Sequence, residues 1–288
     1  ETILLYDPKT SSTRTKQYIA EVISHEIAHQ WFGNLVTMKW WNDLWLNESF
    51  ATFMATKIVD RFYPEWDYWD QFLDDAMNTA MSLDSLKTSH PIDVNVNHPS
   101  EIREIFDSIS YDKGGCILRM LEHFVGEKNF QKGLQKYLTK HQYDNAQGSD
   151  LWNAIGQVSK QPIDKMMKTW INQVGFPLLE VKRNTSTLTL KQSRFLLEGA
   201  KNPSKKTWSI PLVIEEGNQR MKKLMTKKSE KIHLKNKDRN FIINSGRTGF
   251  YRIQYDKETL ENLSLLIDEK VLDHVDRWSL QNDYFAQA

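Results

Sequence analysis

The hydrophobic spacing of this chain changes period at Gly175-Phe176-Pro177, and that switch restricts what its 288 residues can fold into. Before it, apolar residues recur three and four positions apart, in Tyr18-Ile19-Val22-Ile23-Ile27 and again in Phe50-Phe53-Met54-Ile58, the spacing of helices that bury one face. Segments 102–106, 117–124, 130–138 and 151–158 continue the pattern, with Ser149-Asp150 as the expected N-cap of the last. Pro64, Pro91, Pro99 and Pro162 mark turns or helix starts. After the switch, 178–181, 188–190, 208–214, 241–243 and 250–255 are short runs rich in β-branched and aromatic residues. The turn residues Asn184, Gly199, Pro203, Gly217 and Gly246 separate them. From Lys257 the helical period returns. The expectation is an α+β multidomain chain: a mainly helical lobe over 1–172, a small β-sandwich over 173–256, and the beginning of a helical domain over 257–288. The first residue is Glu1, inside Ile3-Leu4-Leu5-Tyr6, which reads as a strand, and the whole reads as a piece of something longer.

Composition narrows the function. Forty per cent hydrophobic and 26% charged residues are globular proportions, and 38 basic against 37 acidic side chains leave a net charge of +1. Bulk charge therefore gives no reason to expect nucleic acid or membrane partners. No apolar run approaches the ~18 residues of a membrane helix. The single cysteine, Cys116, excludes an internal disulfide and suits a reducing, cytoplasmic setting. The basic run from Arg220 to Arg239 lacks interleaved aromatics and reads as the solvated face of a hairpin.

Chemistry concentrates in His25-Glu26-Ile27-Ala28-His29. On a helix, positions i and i+4 lie about 40° apart around the axis and about 6 Å along it, so both imidazoles can reach one ion. Neutral imidazole nitrogens suit zinc. Glu26, about 100° round from His25, is poorly placed as a ligand but within reach of a water on the metal, the position of a general base. Gly33-Asn34 is the expected end of this helix. Two histidines leave a catalytic zinc one protein ligand short, and Glu48 is the candidate, brought back by an antiparallel helix after a crossing segment over 35–46. Taken alone, two histidines and a glutamate on an exposed helix face, or a carboxylate favoured by a helix N-terminus at Glu48, read the same way.

The motif His-Glu-x-x-His, then eighteen residues, then Glu within Trp45-Leu46-Asn47-Glu48, together with Gln30-Trp31-Phe32-Gly33-Asn34-Leu35-Val36-Thr37 and Trp40-Trp41-Asn42-Asp43-Leu44-Trp45, resembles the M1 zinc aminopeptidases. The resemblance runs through Ser110-Tyr111-Asp112-Lys113-Gly114 into the β-region and is strongest to the archaeal tricorn-interacting aminopeptidases. It implies a thermolysin-like catalytic lobe with one zinc held by His25, His29 and Glu48, Glu26 activating water, and Tyr111 donating to the tetrahedral oxyanion. It implies peptide substrates with a free N-terminus, and further N- and C-terminal domains of a parent chain as neighbours. Two departures stand out. The Gly-x-Met-Glu-Asn stretch with which the family reads the substrate's amino group is absent, and Ala55 occupies the place of a glutamate that partners the histidines in many members, which leaves their orientation to acceptors such as backbone carbonyls. Alternatives to the aminopeptidase are an endopeptidase, since the zinc motif alone has no preference for chain ends, and an inactive zinc-binding module that docks to other segments.

Trp31, Trp40, Trp41 and Trp45 are expected in a core or interdomain seam. Cys116 reads as a buried inert thiol, Asp112-Lys113 as a surface ion pair or a support for Tyr111, and His90, His98, His123, His141, His233 and His274 as ordinary residues without ligand spacing.

Overall fold

The computed structural model describes residues 2–197, 206–217, 219–235 and 240–288. Helix α1, Thr13–Ala28, starts where Ser12 Oγ accepts the Thr15 N–H at 3.1 Å. After the short strand β1, Val36–Met38, the chain enters α2, Trp45–Phe62, which is buried along most of its length and packs beside α1. Phe32 stacks on Phe50 with ring centroids 4.4 Å apart, closing the turn after α1 over α2. Helices α3, Tyr68–Phe72, and α4, Asn78–Asp84, are joined by a π turn, Leu73–Met77. A second π turn, Ile109–Lys113, leads into α5, Gly114–Val125. Helix α6, Glu127–His141, strand β2, Asp144–Ala146, and helices α7, Gly148–Ser159, and α8, Ile163–Ile171, complete this part. Strand β2 pairs in parallel with β1, Val36 opposite Asp144.

Gly175 turns the chain from α8 into the sheets at φ +87°, a backbone conformation that favours glycine. Strands β3, Pro177–Asn184, and β4, Thr187–Arg194, form an antiparallel pair. Beyond them run β5, Ile210–Glu216, β6, Gln219–Met225, β7, Ser229–His233, β8, Phe241–Ile243, and β9, Arg252–Tyr255. They make a four-stranded sheet in the order β7-β4-β3-β9 and a three-stranded sheet in the order β6-β5-β8. Helices α9, Lys257–Asp268, and α10, His274–Phe285, follow. The apolar core is continuous from Phe50 and Phe53 through Trp170, Phe176 and Trp208 to Phe250 and Tyr251. Buried charge is concentrated at Asp283, whose Oδ1 accepts from Arg247 (3.0 Å) and Arg252 (2.9 Å) and whose Oδ2 accepts from the Ile253 N–H (2.9 Å). Among the described residues no helix is long and apolar enough to cross a membrane.

The α+β class is as expected, and several local readings are corrected. Ile3-Leu4-Leu5-Tyr6 forms no strand: Thr2–Leu4 is a 3₁₀ turn, and no described strand lies beside it to satisfy an extended backbone. Residues 102–105 fall in a 3₁₀ segment, Pro99–Ile105, rather than an α-helix, and Phe106 lies just past its end. Helix α7 begins earlier than Ser149-Asp150: Gln147 is the N-cap, and Asp150 accepts the Gln147 N–H as the reciprocal half of a capping box. The basic run is not a single hairpin: β6 pairs antiparallel with β5, Glu216 opposite Gln219, and keeps exposed basic side chains, whereas β7 pairs with β4. Strands β6 and β7 lie in different sheets, because Met225 and Ile232 are each buried against a different neighbouring strand. Three of its cations are engaged: Arg220 with Glu215, Lys223 with Glu230 at 2.6 Å, and Lys222 with the His123 carbonyl. Gly199, Pro203 and residues 236–239 of that run lie outside the described residues. Trp45 is buried and stacks on Trp152, centroids 5.1 Å apart, whereas Trp31 and Trp40 are about half exposed, at 48% and 55%.

Candidate metal centre

Helix α1 ends at Ala28, earlier than the Gly33-Asn34 stop, but His29 is its C-cap and keeps helical dihedrals, so the i,i+4 relation to His25 survives. The rings meet edge to face with centroids 4.8 Å apart. Glu48 sits in the first turn of α2 and points back at both. Its Oε2 lies 3.3 Å from His25 Nε2 and 3.5 Å from His29 Nε2. The His29 ring is oriented from behind by the Phe32 carbonyl, 3.0 Å from Nδ1, while its Nε2 faces Glu48. That carbonyl supplies an acceptor that position 55 does not, since Ala55 carries no polar side chain.

These three residues are the set of His, Cys, Asp and Glu side chains that could share one ion among the described residues, with all ligand atoms within 4.8 Å of one another. A tetrahedral ion with donors at about 2.0–2.1 Å separates neighbouring donors by about 3.4 Å, so the two nitrogen–oxygen distances match a tetrahedron's edges. Burial alone would raise the Glu48 carboxyl, but hydrogen bonds with His25 and His29 outweigh it and hold its pKa at about 2. The carboxylate is therefore charged at neutral pH, as a ligand must be. The side chains are 18%, 20% and 13% exposed, which leaves one side of the cluster open to solvent.

Tyr111 lies on the opposite wall. Its ring stacks parallel to His25 (centroids 6.0 Å, planes 9° apart), and its hydroxyl donates towards Glu48. Burial, with Glu48 adding to it, pushes the phenol pKa upward, so the group stays protonated as a donor. Glu26 is exposed on the other flank of α1 and edges an apolar groove of about 460 Å³ lined by Ile3, Leu4, Val22, Ile23 and Ile27. Its charge is felt by both His29 and Tyr111. A more polar cavity of about 270 Å³ runs along α1 before His25, past Glu21, Gln17 and Arg14. Asp112 borders it, with its pKa raised to about 6 by burial. An open cation site flanked by a free carboxylate and a neutral phenol can activate water and stabilise a developing oxyanion.

Of the five residues singled out in the sequence, His25, His29, Glu48 and Tyr111 thus come together, and Glu26 lies on the exposed neighbouring flank of α1. The Asp112–Lys113 ion pair does not form: Lys113 is completely buried and faces Asp84 at 2.9 Å. Sequence reading missed Asp84, and no spacing rule links it to Lys113. It also passed over Ser49, whose place directly after Glu48 was the available signal. Cys116 is fully buried and burial raises its thiol pKa, so it takes no part. His90 pairs with Asp107 at 2.7 Å and His274 with Asp70 at 2.6 Å, so neither is a ligand of the cluster.

Residues 1–170 match the peptidase family M1 domain. The chain is 45% identical over 285 residues to Probable aminopeptidase 2 of Sulfurisphaera tokodaii, covering 99% of this chain and 35% of that protein. It is 44% identical over 284 residues to Tricorn protease-interacting factor F2 of Thermoplasma volcanium, with the same coverage. Aminopeptidase M1 of Arabidopsis thaliana is 42% identical over 303 residues, covering 99% of this chain and 34% of the plant protein. The chain therefore spans about a third of the length of these relatives. With a match across its helical part and relatives similar over nearly all its residues, the chain belongs to peptidase family M1.

Proposed function

We propose that this chain carries the catalytic centre of a zinc-dependent aminopeptidase, in a thermolysin-like helical lobe followed by a β-sandwich and the start of a helical domain. The observation that carries the reading is the convergence of His25, His29 and Glu48 at tetrahedral spacing with Tyr111 opposite and Glu26 at the rim. Those three side chains would hold one zinc ion, which when bound would supply Lewis acidity to polarise a carbonyl and to make water acidic enough to lose a proton near neutral pH. Glu26 takes that proton on its carboxylate and returns it to the departing amine. Tyr111 donates its hydroxyl hydrogen to the carbonyl oxygen as negative charge develops there, an effect typically worth about 10²–10³ in rate. The substrates are peptides with a free N-terminus, cleaved after the first residue. The lone buried thiol suits a cytoplasmic enzyme.

The test uses the full-length parent protein, zinc analysis, and amino-acid anilides beside free and N-acetylated peptides. Glu26→Gln is expected to keep one zinc per chain and lower kcat by about 10²–10⁴. Retained turnover in that variant ends the mechanism. Equal cleavage of acetylated peptides makes the protein an endopeptidase, and a zinc-loaded wild type without turnover makes it a binding module.

A further inference from the structure

The segment that presents Tyr111 is a π turn, a conformation wider than an α-helix that persists where neighbouring groups hold it. Three such groups are in place. Asp107 Oδ1 accepts the N–H groups of Ile109 (3.0 Å) and Ser110 (3.1 Å) at the start of the turn. At its end, Lys113 Nζ faces Asp84 Oδ2 at 2.9 Å with both side chains fully buried; the pair is poorly aligned for a hydrogen bond and is held by charge. The other Asp84 oxygen accepts Ser89 Oγ (2.8 Å) and the Gly175 N–H (2.9 Å), which anchors the acid itself. Between the two, the wholly buried Ser49 Oγ donates to the Ser110 carbonyl at 2.6 Å.

That carbonyl belongs to the peptide unit whose nitrogen is Tyr111's own. Ser49 also follows Glu48 directly in α2. One helical turn therefore carries both the carboxylate that faces the two histidines and the hydroxyl that fixes the peptide plane from which the phenol hangs. Across the contact, Gly114 presents no side chain, and a Cβ there would fall on Ser49. This close approach, at the first residue of α5, lets α2 and the tyrosine turn come near enough for the Ser49 bond to form. A shift of about 1 Å at a reacting group can cost about 10²-fold in rate, so a device that fixes the turn against α2 matters to the chemistry.

We propose that Ser49 is a positioning residue for Tyr111: its hydrogen bond to the Ser110 carbonyl holds the phenol over His25 and in register with Glu48. The inference rests on the reading of Tyr111 as oxyanion donor. The test is a double-mutant cycle in the full-length protein, with Ser49→Ala, Tyr111→Phe and the pair assayed on an amino-acid anilide per zinc-loaded, folded chain. Tyr111→Phe is expected to lower kcat about 10²–10³-fold. Ser49→Ala is expected to lower kcat about tenfold, with KM and zinc content unchanged, and to have no further effect once Tyr111 is phenylalanine. Ser49→Gly reproduces the loss if the alanine variant folds poorly. An unchanged kcat in Ser49→Ala, or the same tenfold loss in both backgrounds, overturns the inference while leaving Tyr111's role intact. A silent Tyr111→Phe overturns that role first, and this inference with it.

Discussion

Replacing Gly114 by alanine is expected to cost stability by an amount that follows from one contact. A Cβ at position 114 would fall on both Oγ and Cβ of Ser49, in a place where both residues are buried. Ser49 can swing its hydroxyl aside only by giving up its bond to the Ser110 carbonyl, and its Cβ cannot move without α2. Overpacking of this kind costs about 1–3 kcal/mol. A buried carbonyl left without its donor adds about 1–3 kcal/mol. The sum is centred near 4 kcal/mol, and at about 2–4 °C per kcal/mol for a chain of this size Tm should fall by roughly 8–16 °C. Thermal unfolding followed by circular dichroism, supported by urea titration, measures it. The discriminating variant is Gly114→Ala with Ser49→Gly, in which both struck atoms are gone. It should be more stable than the two single losses added together imply, by about the whole Gly114→Ala loss, near 4 kcal/mol, because the clash is gone and the carbonyl bond is lost once rather than twice. A Tm change under about 2 °C for Gly114→Ala, or losses that simply add, would refute the packing argument.

Two further perturbations probe other parts of the molecule. Asp283→Leu leaves Arg247 and Arg252 buried without their shared counter-charge and the Ile253 N–H without an acceptor; the expected loss is about 3–5 kcal/mol, read from the urea midpoint, and a loss below about 1 kcal/mol contradicts it. Asp43 is buried, and burial followed by the nearby Asp93 charge raises its carboxyl from 3.8 to about 6. The folded state therefore holds a proton that the unfolded chain has released between about pH 4 and 6, so this group lowers stability as pH rises through that window. Asp43→Asn keeps an oxygen for the Gly148 N–H and cannot ionise, so relative to wild type it should gain on the order of 3 kcal/mol between pH 4 and pH 7; parallel stability curves for the two proteins would sink the assignment.

What could be read from the sequence depended on how locally each feature is determined. Helix α1 and its two histidines are a matter of spacing within one segment, and α2 is a long apolar run, so both were legible. Helices α3 and α4 were missed because the π turn between them shifts the phase of Phe72, Leu73, Met77 and Met81 away from a regular helical stripe. Strands β6 and β7 were hidden by their lysines, and their assignment to separate sheets depends on β4 and β5, which lie elsewhere in the chain. Lys113 looked like a surface residue because lysine is almost never fully buried without a partner, and Asp84, its partner, lies on α4. The 3₁₀ turn at Thr2–Leu4 shows the converse: an apolar run with strand composition does not become a strand where no described strand pairs with it.

The same ordering describes how the site depends on the fold. The His25–His29 pair needs only that α1 be helical. Glu48 needs α1 and α2 packed side by side, and its low pKa is a consequence of that packing, since the groups that depress it are the two histidines of the other helix. Tyr111 needs a turn held between Asp107, Ser49 and the Lys113–Asp84 pair, and then α5 beyond it. Helix α5 is fixed in turn by Arg119, whose guanidinium donates to the Arg247 carbonyl at 2.7 Å and the Gly246 carbonyl at 3.2 Å. Arg247 is the residue that Asp283 of α10 holds by its side chain. A continuous set of buried polar contacts thus runs from the last helix to the helix that begins where the tyrosine turn ends. The two histidines and Glu48 are brought together by two helices alone; the phenol opposite them is positioned by contacts drawn from α4, the sheets and α10, so the site depends on far more of the fold than its two-helix motif suggests.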